Sequence, residues 1–205
     1  MIDEGDLAAR GYPKGRRKRA EIVSAALHAF AVDGYRSASM TQLAAACGVS
    51  RAGLAHHFPT KESLLIAVLT ERDRVNGELF FTGADGGADG LDYFRRLVRV
   101  IAHNVSVPGV IGLYATLSTE AADPAHPAHD YFVDRFRWLR RDIRAALVDV
   151  TARGLVHDGL DLDDVASDII ALIDGLQVQW LMEPATTDMA ARLESWLEQT
   201  LGLRL

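Results

Sequence analysis

Between Arg19 and about residue 32, Ile22, Ala26, Ala29 and Phe30 recur at the spacing of one helical face, and Asp33-Gly34-Tyr35 supplies a glycine stop followed by a packing aromatic. Ser39 or Thr41 can cap a short second helix that carries Leu43, Ala44 and Cys47 and ends at Gly48. Ser50 can cap a third helix, reaching about His57, and Pro59-Thr60-Lys61 opens a fourth whose buried stripe is Leu64, Leu65, Val68 and Leu69. Further on, helical periodicity resumes in Leu91, Phe94, Leu97 and Ile101, then in Val110, Leu113 and Leu117, then in Phe132, Phe136, Leu139, Ile143 and Leu147. Two last helices are predicted, over about Leu162 to Met182 and Asp188 to Leu201. No segment alternates with period two. The pattern predicts an all-α fold of about nine helices with no internal repeat.

Two segments lack that periodicity. Residues 1 to 15 mix Gly11, Pro13 and Gly15 with charges and read as a flexible arm. Thr82 to Gly90 (TGADGGADG) reads as a glycine-rich surface loop; it has neither the Gly-Lys-Ser/Thr ending of a phosphate-binding loop nor a calcium-loop pattern.

Composition sets the class. The chain has 205 residues, 49% of them apolar and 24% charged, with a formal charge of −6, which describes a soluble globular protein and excludes wholesale disorder or collagen-like structure. The single cysteine, Cys47, forms no internal disulfide, and no His/Cys set has zinc-site spacing, so no metal or cofactor is expected and the cytoplasm is the natural setting. The opening Met1-Ile2-Asp3-Glu4-Gly5-Asp6 has no export-signal character, and no uninterrupted run of about eighteen apolar residues predicts a membrane span.

The overall acidity argues against a polycation, but the charges are unevenly placed. Residues 10 to 61 hold nine basic side chains (Arg10, Lys14, Arg16, Arg17, Lys18, Arg19, Arg36, Arg51 and Lys61) against Glu21 and Asp33, whereas residues 62 to 205 are net acidic. A basic module on an acidic body suits phosphate contact. Within that module, Met40 to Phe58 (MTQLAAACGVSRAGLAHHF) has the layout of two helices crossing at a tight turn: Ala44 where they touch, Gly48 at the turn, and Leu43, Val49 and Leu54 as shared core. An ordinary helix pair under a core is the plainer reading, and the charge favours the DNA-binding one.

The run Ile22-x-x-Ala25-Ala26-x-x-x-Phe30-Ala31-x-x-Gly34-Tyr35, then Thr41-x-Leu43-Ala44-x-x-x-Gly48-Val49-Ser50, Leu54, His57-Phe58 and Lys61-Glu62-x-Leu64-Leu65 resembles the DNA-binding domain of TetR-type (tetracycline-repressor-like) bacterial transcriptional regulators. The resemblance implies an arm at 1–15, a helix-turn-helix domain at 16–77 with its recognition helix at about 50–57, and an effector-binding and dimerisation domain at 78–205. It also implies a homodimer whose recognition helices enter successive major grooves of a double-stranded operator, with no membrane partner.

Carried over position by position, Arg51 is the candidate base reader, since a guanidinium pairs bidentately with guanine; phosphate contact or plain solvation is its other reading. Ala52, Gly53, Ala55 and His56 project opposite Leu54, and His57 and Lys61 match backbone-touching positions, Lys61 at a helix N-terminus. Thr41 matches the same role across the groove, compatible with helix capping. Most members of the family carry Tyr where this chain has Ala55, which can touch a thymine methyl but cannot donate to phosphate. The basic run, with Arg17 and Lys18 at its centre, is expected near phosphates or an adjacent minor groove rather than as a solvated tail.

In the body, Val165 to Met182 is apolar nearly all round, so it needs burial on two sides, by its own core and by a partner chain. Gly175 there disfavours a helix by about 1 kcal/mol relative to Ala, which close helix approach would explain. The expected dimer face is Ile169, Leu172, Gly175 and Leu176 with Leu193, Trp196 and Leu197 of the last helix; burial within one subunit is the competing reading. Polar groups on apolar faces nominate an effector pocket: Asn104, Tyr114, Glu120, Asp174 and Gln177, with Trp180 as an aromatic wall, although pairing within the core explains any one of them. His126, His129 and Asp130 read as a polar helix start rather than metal ligands, and Arg137, Arg140, Arg141 and Arg144 as a solvated face, with pairing to acids of another helix as its other reading.

The function expected from these readings is a ligand-responsive repressor released from a pseudo-palindromic operator by a small molecule, and not an enzyme. The competing classes are an all-α enzyme, for which no catalytic signature exists in the sequence, and an interaction module whose basic head holds an acidic partner.

Overall fold

A computed structural model describes residues 13–81 and 89–205. Nine α-helices and no strands occur among them: α1 Pro13–Asp33, α2 Met40–Ala46, α3 Arg51–His57, α4 Lys61–Asn76, α5 Gly90–Asn104, α6 Pro108–Glu120, α7 His129–Ala152, α8 Leu162–Met182 and α9 Met189–Trp196. Wider π-helical turns extend α4 through Gly77–Phe81 and α9 through Leu197–Leu201. The described residues form two compact units that divide between Glu71 and Arg72, inside α4.

In the first unit, Ile22, Ala26 and Phe30 of α1, Leu43 and Ala44 of α2, Leu54 of α3 and Leu64, Leu65 and Val68 of α4 are buried. The basic run belongs to α1, which begins at Pro13 and so takes in the last three residues of the expected arm; the other twelve, and residues 82–88 of the expected loop, lie outside the described residues. Proline suits a first helical turn, whose N–H groups have no partner in the helix, and Arg17 and Lys18 bond Glu21 one turn on.

The second unit packs α5, α7, α8 and α9 around Phe94, Ile143, Leu147, Ile169, Leu193 and Leu197. Gly90, expected in the loop, is the first residue of α5, after the Asp89 cap. A Cβ there would lie 2.2 Å from the Ala146 carbonyl oxygen, so the start of α5 can sit on α7 only as glycine. Gly90→Ala is expected to destabilise the protein by about 1–3 kcal/mol through overpacking, read as a lower denaturant midpoint; an unchanged midpoint would show that the two helices can part at no cost.

By length and composition α8 could cross a membrane, with mean hydropathy 1.3 over its best 18 residues. In this fold it is a core helix on one side only. Val165, Ala166, Ile169, Ile170, Leu176 and Trp180 point inward, while Ala171, Gly175, Val178 (44% exposed) and Met182 (77% exposed) share an outward face. This corrects the expected dimer face. Ile169, Leu176, Leu193 and Leu197 are sealed in the chain's own core, with no surface left to offer a partner, because they sit one helical step round from the open side; Leu172, Gly175 and Trp196 keep theirs.

Candidate functional site

The first unit presents α3 by a chain of local devices. Ser39 caps α2 through a reciprocal bond pattern with Gln42, which leaves Thr41 exposed in the first turn with no capping duty. Gly48 takes φ +62°, and bonds from Gly48 N to Ala45 O (3.1 Å) and from Val49 N to Ala44 O (3.0 Å) close α2 and redirect the chain. Ser50 then accepts from Gly53 N at 3.0 Å and starts α3. Leu54 anchors α3 in the core, so Arg51, Ala52, Ala55 and His56 are exposed, with Gly53 and His57 partly covered. Arg51 makes no ion pair or hydrogen bond among the described residues and stands free at the helix N-terminus.

Other basic groups are already engaged. Lys61 Nζ donates to Tyr35 O (3.1 Å) and Arg36 O (3.4 Å) and lies 4.4 Å from the centre of the Tyr35 ring, so it ties α4 to the turn after α1. Arg19 covers the Phe58 ring at 4.5 Å. Arg17 and Lys18 share Glu21, whose carboxyl those two bonds hold below its ordinary pKa. Exposed pairs of this kind are readily exchanged for a phosphate.

The second unit encloses a chamber of about 440 Å³, within the usual range for small-molecule sites, whose apolar wall includes Phe81, Tyr93, Leu97, Ile101, Trp138 and Ile170. A narrower recess of about 50 Å³ shares with it Asp73, Asn76, Asn104, Arg135, Asp174 and Gln177. These two spaces bring together four of the six nominated pocket residues: Asn104, Asp174 and Gln177 line both, and Tyr114 lines the recess. Two are corrected. Glu120 lies 3.8 Å from His126 Nε2 at the end of α6, and Trp180 is buried in the helical core, on the inward side of α8. His126 and His129 serve the same corner, His126 Nδ1 accepting from Ala128 N and His129 Nδ1 lying 2.8 Å from Ala121 O; the described residues contain no metal-binding group of three or more ligands.

The polar wall is a charge network. Arg135 Nε donates to Asp73 at 3.3 Å, the Tyr131 hydroxyl donates to the same carboxylate, and the Tyr114 and Tyr131 hydroxyls lie 3.1 Å apart. Burial pushes both phenols above their ordinary pKa. Arg72, only 8% exposed, donates to the amide oxygens of Asn76 and Asn104, and burial lowers its pKa. Arg72, Asp73, Asn76, Arg135 and Trp138 are absent from the residues nominated by sequence. Tyr131, Arg135 and Trp138 stand at i, i+4 and i+7, a stripe that could have been read as one face beside Phe132 and Phe136. Of the expected solvated arginines, Arg137 and Arg141 pair with neighbours on α7 and Arg144 with Asp163 of α8.

Residues 22–68 match the family model for bacterial regulatory proteins of the tetR family, and residues 121–202 match the C-terminal model of BetI-type transcriptional repressors. The chain is 22% identical to the HTH-type transcriptional regulator TtgR of Pseudomonas putida, over 96% of each chain. It is 43% identical over 54 residues to the regulator RutR of Escherichia coli, 26% of each. A solved TetR-family regulator from Rhodococcus sp. superposes with a TM-score of 0.68 at 26% identity, covering 86% of this chain and 94% of that one.

Proposed function

The chain belongs to the TetR family of bacterial regulatory proteins, and from that premise we propose that it represses transcription as a homodimer, with two α3 helices in successive major grooves of a pseudo-palindromic operator. It is a DNA-binding transcriptional regulator of a family of regulators rather than enzymes. The observation that carries the reading is α3 itself, whose Arg51, Ala52, Ala55 and His56 face is left uncovered while Leu54 fixes its orientation. Thr41, Gly53 and His57 flank that face as positioning contacts, Arg17 and Lys18 meet phosphates, and Lys61 acts by holding the turn at Tyr35.

The dimer closes through the outward face of α8, at Ala171, Leu172, Gly175, Val178 and Met182, with Trp196 beside it. The effector enters the chamber of the second unit. One helix, α4, carries Lys61 in its first turn and Arg72, Asp73 and Asn76 in its last, so a ligand that rearranges those three biases the head spacing. A cytoplasmic protein, at the nucleoid when DNA-bound, fits this role.

Selection of genomic fragments by the purified protein at defined salt tests the reading. Enrichment of a pseudo-palindrome with half-sites roughly 34–36 Å apart is expected, and binding that is salt-sensitive but indifferent to sequence overturns it. Replacing Arg17 and Lys18 by glutamine should weaken binding alike for all sequences and flatten the slope of log affinity against log salt by about 1 for each phosphate no longer neutralised. An unchanged slope would remove these two residues from the interface.

A further inference from the structure

We propose that the chamber in the second unit takes an organic cation with an apolar body, its positive group held by the carboxylate of Asp174. The inference deepens the function proposed above and rests on the chamber being the effector site. Three carboxylates line the chamber, and two are already answered: Asp73 by Arg135 and Tyr131, and Asp142 by Arg141 at 2.9 Å. Asp174 makes no hydrogen bond or ion pair with any described residue, although it borders both the chamber and the recess. Burial raises its pKa and only the more distant field of Arg135 opposes this, so its charged form is left short of partners.

The two arginines of the wall are in the opposite condition. Arg135 is bonded to Asp73, and Arg72 is held between two amide oxygens, so an anionic ligand would have to displace an existing partner to reach either. A cation meets no such competition at Asp174. Around it, Ile170 and Ile173 of α8 with Leu97 and Ile101 of α5 form an apolar wall, and Trp138, Tyr93 and Phe81 supply aromatic rings, which attract cations through their faces. The chemistry on offer is therefore one anionic point within an apolar and aromatic chamber of about 440 Å³.

Isothermal titration of the full chain with 1-aminooctane (protonated at neutral pH), 1-octanol and octanoate, which share an eight-carbon chain, tests this. The ammonium should bind about tenfold tighter than the alcohol, with the carboxylate weakest. In Asp174→Asn, checked for folding by its thermal melt, ammonium and alcohol should bind alike. The inference is overturned if the ammonium does not bind, if octanol or octanoate binds as tightly, or if the preference survives in Asp174→Asn. Should that variant fail to fold, the ranking in the unaltered protein decides. The titration contains no DNA, so an operator selected without any ammonium preference overturns the cation and leaves the regulator standing.

Discussion

Gly175→Glu is expected to leave the chain folded, turn it into a monomer at micromolar concentration, and weaken operator binding by about 10²- to 10⁴-fold. The fold tolerates the side chain because nothing lies within 4 Å of where a Cβ would stand, and Glu is a better helix former than Gly. The partner does not tolerate it. In a two-fold dimer the same patch meets itself, so each copy would bring a carboxylate against the other's, among the outward-facing Ala171, Val178 and Met182. Affinity then falls because two linked heads bind their half-sites far more tightly than one. Sedimentation velocity with far-ultraviolet circular dichroism reads the first two outcomes, and titration of the selected operator the third. A folded variant that stays dimeric places the interface elsewhere.

The second large effect is expected at Arg51. Arg51→Ala should cost about 1–3 kcal/mol on the selected operator and relax preference at one symmetric pair of positions, as removal of a bidentate bond to guanine does. Arg51 is the first residue of α3, exposed and without a partner among the described residues, whereas Arg17, Lys18 and Lys61 each have one. Binding that weakens equally for all sequences makes Arg51 a phosphate contact. Preference that survives intact removes it from base reading altogether.

The head was more legible in the sequence than the body. Ser39, Gly48, Ser50 and Leu54 act on neighbours a few residues away, and such short-range devices leave a local trace. Gly11, Pro13 and Gly15 read as an arm, yet the first helix begins at Pro13, a residue well placed at a helix start. In the body, periodicity says that a face is apolar without saying what covers it. Ile169 and Gly175 lie on the same predicted helix, but the first is sealed inside and the second faces out.

By itself the sequence determined the helical class, the turn-and-cap grammar of the head, the concentration of positive charge there and the family resemblance, since each is carried by local spacing. The tertiary structure alone decided which apolar residues of α8 and α9 remain available to a partner, and that Asp73, Asn104, Arg135 and Asp174 share one chamber. Those side chains come from α4, α5, α7 and α8, far apart along the chain, and meet only when the helices pack. Whether a part-buried carboxylate is paired, as Asp73 is with Arg135, or has no partner among the described residues, as Asp174 has none, depends on neighbours that no local pattern contains.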